Sequence, residues 1–430
     1  GNEIGANSYY LNFNGNGVIL DCGIHPQKTG LESLPNFDLI KDKSVDYCLI
    51  SHAHQDHIGS LNFLVKKFPY VKIITTPQTR ALAELTLHNS VSILKKEIEE
   101  DDFEFYSHDE VDLLIKMIEY KEYQNEFELN SYHQQKDAKV NCTFYDAGHI
   151  LGSAGILLEN NNHKIFYTGD INLSSQTLQP TAQLPETKID TLILETTYGA
   201  TDSNLLLDWD SESQRFAKEA NNILNNGGSI LIPVFSLGKT QEMLGTIWKL
   251  MLKRKLTTVD IYTGGLGTKI NRAYDYNRFT VRRVDEEFEL NAIPQKDYYE
   301  ISNPEEFFKH PCIVLASSGM MIKGTASYNF ARRWLRQKDS AIFSVGYMDT
   351  KTPGYVIANS ERGDKIQLTE LDEPVEVNCT IKNFKFSAHA RREDLLKIVD
   401  KLKPDNVILT HGDEEALDWM GSSILKKHKN

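Results

Sequence analysis

The chain is short of several things, and each shortage excludes a class of protein. It has only 5 cysteines in 430 residues. Cys22, Cys48, Cys142, Cys312 and Cys379 are widely spaced and form no C-x-x-C pair, so they read as buried free thiols, not as a disulfide framework. No apolar run approaches the roughly 18 residues that span a bilayer, and no charged-then-apolar signal segment follows Gly1. No membrane association is therefore expected, and a soluble cytoplasmic protein is the expectation. Positive charge is also scarce: 47 Lys and Arg against 60 Asp and Glu leave a net charge of −13. That balance argues against a non-specific nucleic-acid coat protein. It leaves room for an enzyme with a local basic groove, because surface fields are screened within about 10 Å. Internal repeats, low-complexity stretches and a Pro/Gly/Ser-rich linker are all missing. What remains, 40% hydrophobic and 25% charged residues, is ordinary for a globular chain of two or three domains.

The recurring unit is a short apolar strand that ends in a polar loop bearing His, Asp or Glu. Residues 45–51 read as a buried strand with His52 directly after it. Residues 140–145 run into Asp146-Ala147-Gly148-His149. Residues 164–168 return from a hairpin through Asn160-Asn161-Asn162 and reach Gly169-Asp170, residues 191–194 deliver Glu195, and residues 407–410 deliver His411. Helical periodicity is expected at 211–226, 325–337 and 391–403, with apolar stripes such as Leu395, Ile398, Val399 and Leu402. Interleaved strands and helices define an α/β protein. The segment 95–135 differs, with six acids in the eight positions 97–104; it reads as a solvated helix end, unsuited to lie against a polyanion.

One hexapeptide dominates the chemistry: His52-Ala53-His54-Gln55-Asp56-His57. Three imidazoles and a carboxylate in six positions arise by chance on the order of once in a thousand such chains. In a loop passing from extended chain to turn, His52 and His54 point one way while Asp56 and His57 turn toward a second centre. Imidazole with a minority of carboxylate suits Zn²⁺, with Mn²⁺ or Fe as less fitting occupants. Two metals need further ligands, and the other strand-end residues His149, Asp170 and His411 occupy the same kind of position. Asp170 is the natural bridging carboxylate. Singly, each would read as a structural histidine or a Gly-Asp turn.

These residues resemble the motifs of the metallo-β-lactamase fold and, within it, the β-CASP nucleases: the cleavage-and-polyadenylation endonuclease subunit, its archaeal and bacterial relatives, and RNase J. Leu20-Asp21-Cys22-Gly23 resembles the first motif, whose aspartate steadies the metal loop. His52 to His57 resembles the second, His149 in DAGHILGSAG the third and Asp170 in YTGD the fourth. Glu195 in ETTYG, His389 in FSAHA and His411 in LTHGD resemble β-CASP motifs A, B and C. Residues 227–244, 314–321 and 344–349 resemble signature strands of the β-CASP cap. The resemblance implies an αββα sandwich, residues 1–200 and 381–430, interrupted by an α/β cap at 201–380. It also implies two Zn²⁺ per chain, with Mn²⁺ as the alternative, held by His52, His54, Asp56, His57, His149, Asp170 and His411. Relatives carry a strand before the segment matching Gly1–Gly5 and another after the helix matching 414–427. They also carry accessory RNA-binding or C-terminal domains that this chain does not match. RNA binding is accordingly expected in the cleft between the two domains.

By resemblance the chemistry is hydrolysis of RNA phosphodiesters, mainly endonucleolytic, leaving a 5′-phosphate and a 3′-hydroxyl. A hydroxide activated by two metals is the expected nucleophile. The leaving alkoxide needs a proton, and His389, oriented by Glu195, is the expected general acid; Asp56 and Asp21 complete the catalytic set. Histidine at motif C is typical of RNA-processing members, and the DNA-repair members carry valine there. Single-stranded RNA is the expected partner, and a homodimer is the assembly relatives commonly form. Ser387 resembles a phosphate-holding serine, Ser318 and Gly319 lie in a loop that can offer backbone N–H groups to phosphate, and Lys239 stands where relatives often have arginine. Gly238-Lys239-Thr240 is no P-loop, since the earlier glycine falls at Pro233. The arginines at 272, 278, 282, 283, 332, 333 and 336 are the sources of local positive potential. Three other readings share the fold: a non-catalytic scaffold, a DNA nuclease and a small-ester hydrolase. Filled ligand positions weigh against the first, His411 against the second and the cap signatures against the third.

Overall fold

The computed structural model describes residues 5–28, 30–97, 106–130, 139–161 and 163–428. The acidic run at 98–104 and the segment Gly1–Ile4 lie outside them. The described chain divides into two compact units. The first comprises Gly1–Ser174, Thr181–Leu205 and Ala388–Asn430, and the second Ser175–Pro180 and Leu206–Ser387.

The first unit is built on two sheets. One orders Tyr9–Phe13, Asn16–Leu20, Tyr47–Leu49, Lys72–Thr75 and Glu119–Tyr120. The other orders Asn406–Thr410, Thr191–Glu195, His163–Tyr167, Ala154–Asn160, Val140–Asp146 and Phe127–Leu129. Alternation along each strand explains how the layers assemble, because successive side chains point to opposite faces. Val18, Leu20, Tyr47, Leu49 and Ile74 from the first sheet share one core with Val140, Cys142, Phe144, Ile156 and Ile193 from the second. Leu192 and Leu194, flanking Ile193, face the other way and pack with Leu395, Ile398, Val399, Leu402 and Met420. Those five come from the helices Arg392–Leu402 and Glu414–Lys427. Helices Leu61–Lys67, Pro77–Glu97 and His108–Met117 bury Leu61, Leu64, Leu82, Leu87, Val111 and Leu114. Each such side chain contributes about 1.5–3 kcal/mol by leaving water. The unit is therefore the αββα sandwich that the resemblance implied.

The expected strands and helices of this unit are present. The strand at 45–51 is shorter, Tyr47–Leu49, and the helix at 391–403 spans Arg392–Leu402. The five cysteines are buried and free. No helix among the described residues is long and apolar enough to cross a membrane.

The second unit has a six-stranded sheet in the order Lys296–Asp297, Asp260–Thr263, Cys312–Ala316, Ile230–Pro233, Ala341–Ser344 and Thr380–Asn383. Every pairing within it is parallel. Parallel strands need crossover connections, here including the helices Lys239–Leu252, Leu266–Tyr276 and Ala326–Trp334. Ile230–Pro233 and Cys312–Ala316 are buried along their whole length, as strands covered on both faces must be.

Segment 175–180 is tied into this unit by a buried carboxylate. Glu242 accepts the backbone N–H groups of Thr177 and Leu178 at 2.8 and 2.9 Å and of Gln179 at 3.0 Å. Burial nevertheless pushes its carboxyl up to about 7, against those three donors and the Lys239 ammonium. The sign of the resulting pH dependence follows. The folded carboxyl holds its proton more tightly than an unfolded one near 4.5, so this contribution to stability is complete below about pH 4.5 and is lost as pH rises through 7. We expect the stability difference between wild type and Glu242→Gln to shift against wild type from pH 4.5 to 7, then level off. Urea midpoints across that range check it, and a pH-independent difference would refute it.

Candidate metal centre

The site forms where strands of both sheets of the first unit end. His52 follows the strand Tyr47–Leu49, and the short helix Gln55–Ile58 carries Asp56 and His57. His149 lies just after Val140–Asp146, Asp170 after His163–Tyr167, and His411 directly after Asn406–Thr410. His411 has φ +53°, a left-handed conformation that a non-glycine residue adopts rarely and usually at a constrained site. Gly23 has a steric reason: a Cβ there would sit 1.7 Å from the Asp56 carbonyl oxygen. Gly169, at φ +52°, sits before Asp170 where a Cβ would lie 2.8 Å from that of Ser51.

Two donor clusters result. In the first, ligand atoms of His52, His54, His149 and Asp170 all lie within 4.8 Å of one another. His54 Nδ1 is 3.0 Å from His52 Nε2 and 3.2 Å from His149 Nε2, and Asp170 Oδ2 is 3.5 and 3.6 Å from the same Nε2 atoms. The second cluster is Asp56, His57 and His411. Asp56 Oδ2 lies 3.2 Å from His411 Nε2 and 3.5 Å from His57 Nε2. Asp170 belongs to both, because its Oδ1 is 3.2 Å from His411 Nδ1 and 3.6 Å from His57 Nε2. The loop therefore divides as read from the sequence, His52 and His54 one way, Asp56 and His57 the other.

The residues fit divalent cations. Asp170 Oδ1 is buried and, although His411 Nδ1 lies 3.2 Å away, accepts no hydrogen bond, a cost an apolar occupant would not relieve. Burial first, then the neighbouring imidazoles, push His52 and His149 well below the usual histidine range, leaving them neutral, as ligands must be. Burial opposes protonation of His57 and His411 too, but the surrounding carboxylates outweigh it and hold both above that range. Those protons supply positive charge that a cation would replace. Outer partners set the tautomers. His149 Nδ1 pairs with the Ala388 carbonyl at 2.8 Å and His57 Nδ1 with Asp21 Oδ2 at 2.7 Å, which turns each Nε2 toward its cluster.

Asp21 is the hub of this outer layer. It accepts hydrogen bonds from Ser51 N and Oγ, both at 2.7 Å, and from Tyr167 Oη at 2.6 Å, besides its contact with His57. The motif reading found Asp21 and missed its companions. Ser51, Tyr167 and Asn7, whose Nδ2 lies 3.1 Å from His57 Nε2, carry no spacing signal. Only Ser51, adjacent to His52, could have been suspected.

Glu195 and His389 adjoin the clusters, and together with Asp170 they form a third tight group. His389 Nδ1 lies 3.0 and 3.2 Å from the two Glu195 oxygens. Glu195 also accepts from Ile171 N at 2.8 Å and Thr197 N at 3.2 Å, so its carboxylate is fixed in place. Burial raises it, but the His389 charge prevails and holds it below the usual range. Burial lowers His389 in turn, but Glu195 and Asp170 dominate and carry it to about 9. The dyad therefore holds a proton on an imidazole beside the ligand set.

The other candidates lie in the second unit. The Lys239 ammonium donates to the Phe386 carbonyl and sits 5.4 Å from the centroid of the Trp209 ring. Burial pulls it down to about 8. Ser318 Oγ accepts from Ile322 N at 3.1 Å, the Gly319 Cα packs beside the Phe235 ring, and Ser387 N donates to the Lys385 carbonyl at 3.1 Å.

A buried double cluster of histidines sharing one aspartate at the open end of an αββα sandwich defines a metallo-hydrolase type of site. The sequence comparisons agree. Residues 10–197 match the model of a metallo-beta-lactamase superfamily domain, residues 240–357 a Beta-Casp domain and residues 374–430 a Zn-dependent metallo-hydrolase RNA specificity domain. An RNase J-like protein of Methanocaldococcus jannaschii is 31% identical over 399 residues, 92% of this chain and 87% of that protein. The cleavage and polyadenylation specificity factor subunit 3 of Dictyostelium discoideum is 30% identical over 438 residues, all of this chain and 54% of that protein. The endoribonuclease YSH1 of Yarrowia lipolytica is 27% identical, again over the whole chain and 51% of its own length. The chain thus spans about half the length of several relatives it matches. A solved structure from Enterococcus faecalis V583, of a protein of unknown function, shares the fold with a TM-score of 0.56 at 13% identity, over 95% of this chain and 92% of that one. The chain belongs to the β-CASP branch of the metallo-β-lactamase superfamily, a family of divalent-metal hydrolases.

Proposed function

We propose that the chain is a zinc-dependent ribonuclease that hydrolyses single-stranded RNA internally, binding two Zn²⁺ per chain with Mn²⁺ as a substitute. The observation that carries this reading is the position of Asp170, with Oδ2 beside His52 and His149 and Oδ1 beside His57 and His411, and with the His389–Glu195 dyad next to it. His52, His54, His149 and Asp170 would hold one ion, and Asp56, His57, His411 and Asp170 the other. Bound there, such ions lower the pKa of water and neutralise charge on a phosphodiester. The chain's own residues do the rest. Asp56, with its side chain 21% exposed against 4% for Asp170, is the carboxylate most open to a water and accepts its proton as oxygen attacks phosphorus. The P–O3′ bond breaks, and His389 Nε2 gives its proton to the departing O3′ while Glu195 holds Nδ1. Asp21 keeps His57 oriented through the hydrogen bonds described above. RNA rather than DNA is supported by His411 and by the RNA specificity domain matched over 374–430. A cytoplasmic setting accords with five buried, unpaired thiols.

The test pairs elemental analysis with cleavage of a 5′-labelled single-stranded RNA and the matched DNA, with and without chelator. Two zincs and chelator-sensitive cutting of RNA alone are expected. Cutting that survives metal removal, or no cutting of either polymer by the two-zinc protein, would defeat the proposal.

A further inference from the structure

The second unit carries a basic pocket built on three of the arginines that supply local positive potential, and it uses none of the residues of the donor clusters or the His389–Glu195 dyad. It is lined by Pro304, Asn329, Phe330, Arg332, Arg333 and Arg336 and encloses about 510 Å³. Helix Ala326–Trp334 and the turn after it supply the polar wall. Asn329, Arg332 or Arg333, and Arg336 recur at three- and four-residue spacing, so they stand on one stripe. Trp334 and Ala331 of the same helix are buried in the unit's core, which fixes the stripe outward. Phe330 and Pro304 make an apolar floor. The Phe330 ring is held edge-on by Tyr298, Phe307 and Trp334 at centroid distances of 5.4, 5.3 and 5.9 Å, so it is rigid.

The arginines are poorly neutralised. Arg333 Nη1 is 3.8 Å from Glu305, a long and exposed pair worth little. Asp372 is drawn below the usual range mainly by hydrogen bonds from Thr369 and Tyr328, with Arg332 a minor contributor. Arg336 forms no ion pair among the described residues. Three exposed guanidinium groups converging on one pocket run against the grain of a chain with net charge −13, and their mutual repulsion favours an anionic occupant. Guanidinium forks match phosphate bidentately, and a rigid aromatic beside them offers a stacking face for a base.

We infer that the Arg332/Arg333/Arg336 pocket is a second contact for single-stranded RNA, holding backbone phosphates on the arginines with a base or ribose against Phe330. The choice of polymer rests on the ribonuclease reading; the phosphate chemistry does not.

The experiment measures binding of a fluorescent, cleavage-resistant phosphorothioate RNA to the metal-loaded protein between about 50 and 200 mM salt. The triple variant Arg332→Gln/Arg333→Gln/Arg336→Gln should weaken binding at every salt concentration. Its slope of log K against log salt should be shallower by about 2, at roughly 0.7 per single-strand phosphate. Hydrolysis of the small diester bis(p-nitrophenyl) phosphate should be unchanged, which separates this contact from the donor clusters. Should the triple variant misfold, Arg336→Glu alone must still reduce the slope by about 0.7. An unchanged slope overturns the inference, as does an unchanged slope with loss of binding to a phosphoserine peptide, which would make the pocket a protein contact. Wild type that binds RNA with arginine-dependent slope yet never cuts it would refute the ribonuclease reading and leave the pocket standing.

Discussion

Replacing His389 by alanine is expected to slow RNA cleavage by about 10²–10⁴-fold, the range for losing one positioned proton donor, with metal content unchanged. The geometry separates the two readouts. His389 contacts Glu195 through Nδ1, and the clusters formed by His52, His54 and His149 and by Asp56, His57 and His411 are complete without it. A general acid matters in proportion to how poorly the leaving group departs unaided. The loss should therefore be large for RNA, whose leaving group is a ribose alkoxide, and much smaller for bis(p-nitrophenyl) phosphate, which leaves as a stable phenolate. Glu195→Gln should reproduce part of the defect, because a neutral amide no longer holds the imidazolium. Combined with His389→Ala it should add almost nothing, as residues acting as one unit are not additive. Equal losses on both substrates would show that His389 does not donate the proton. Loss of metal in His389→Ala would make it a structural support of the ligand set.

The difference between what could and could not be read from the residues lies in sequence separation. His52 to His57 announced itself because a single turn packs four donors into six positions, and the split of that loop toward two centres followed from local geometry alone. The helix at 391–403 was legible for the same reason: Leu395, Ile398, Val399 and Leu402 fall on one stripe, and all four are buried. The recurring strand-end position made His149, Asp170 and His411 candidates for the same centre, whereas adding Glu195 and His389 needed resemblance, because nothing local says which strand ends converge. Where neither local pattern nor motif applied, the sequence was silent. Glu242 caps the backbone at 177–179 from more than 60 residues away, and on its helix it reads as one more charged residue. Segment 175–180 leaves the first unit for the second with no change in composition to mark the crossing. Lys239 shows the same limit: no local pattern announces that its ammonium donates to the Phe386 carbonyl, 147 residues away.

Asp170→Ala is expected to abolish cleavage and to remove metal from both clusters, whereas His411→Val should empty only the second. Each Asp170 oxygen faces a different cluster, Oδ2 toward His52 and His149, Oδ1 toward His57 and His411. Losing this one carboxylate therefore subtracts an anionic donor from two sites at once. His411 touches Asp56 and Asp170 but no atom of the His52/His54/His149 group in the donor clusters. The stability consequences differ in the same way. A ligand bound only by the folded state stabilises it by RT ln(1 + [L]/Kd), about 4 kcal/mol when free metal exceeds Kd a thousandfold. Chelator should lower the unfolding midpoint of wild type, lower that of His411→Val by a smaller step, and leave that of Asp170→Ala where it stands. Elemental analysis alongside the unfolding curves makes the result decisive. An Asp170→Ala protein that retained one ion would show that Asp170 serves a single cluster, and one that retained both would remove it from the ligand set. The carboxylates favour positive charge at this point: Asp170 and Asp56 raise both His57 and His411, and a bound cation would compete with those protons. Asp170→Ala weakens the hold on the protons and on the metal together, and only the loss of metal reaches both clusters.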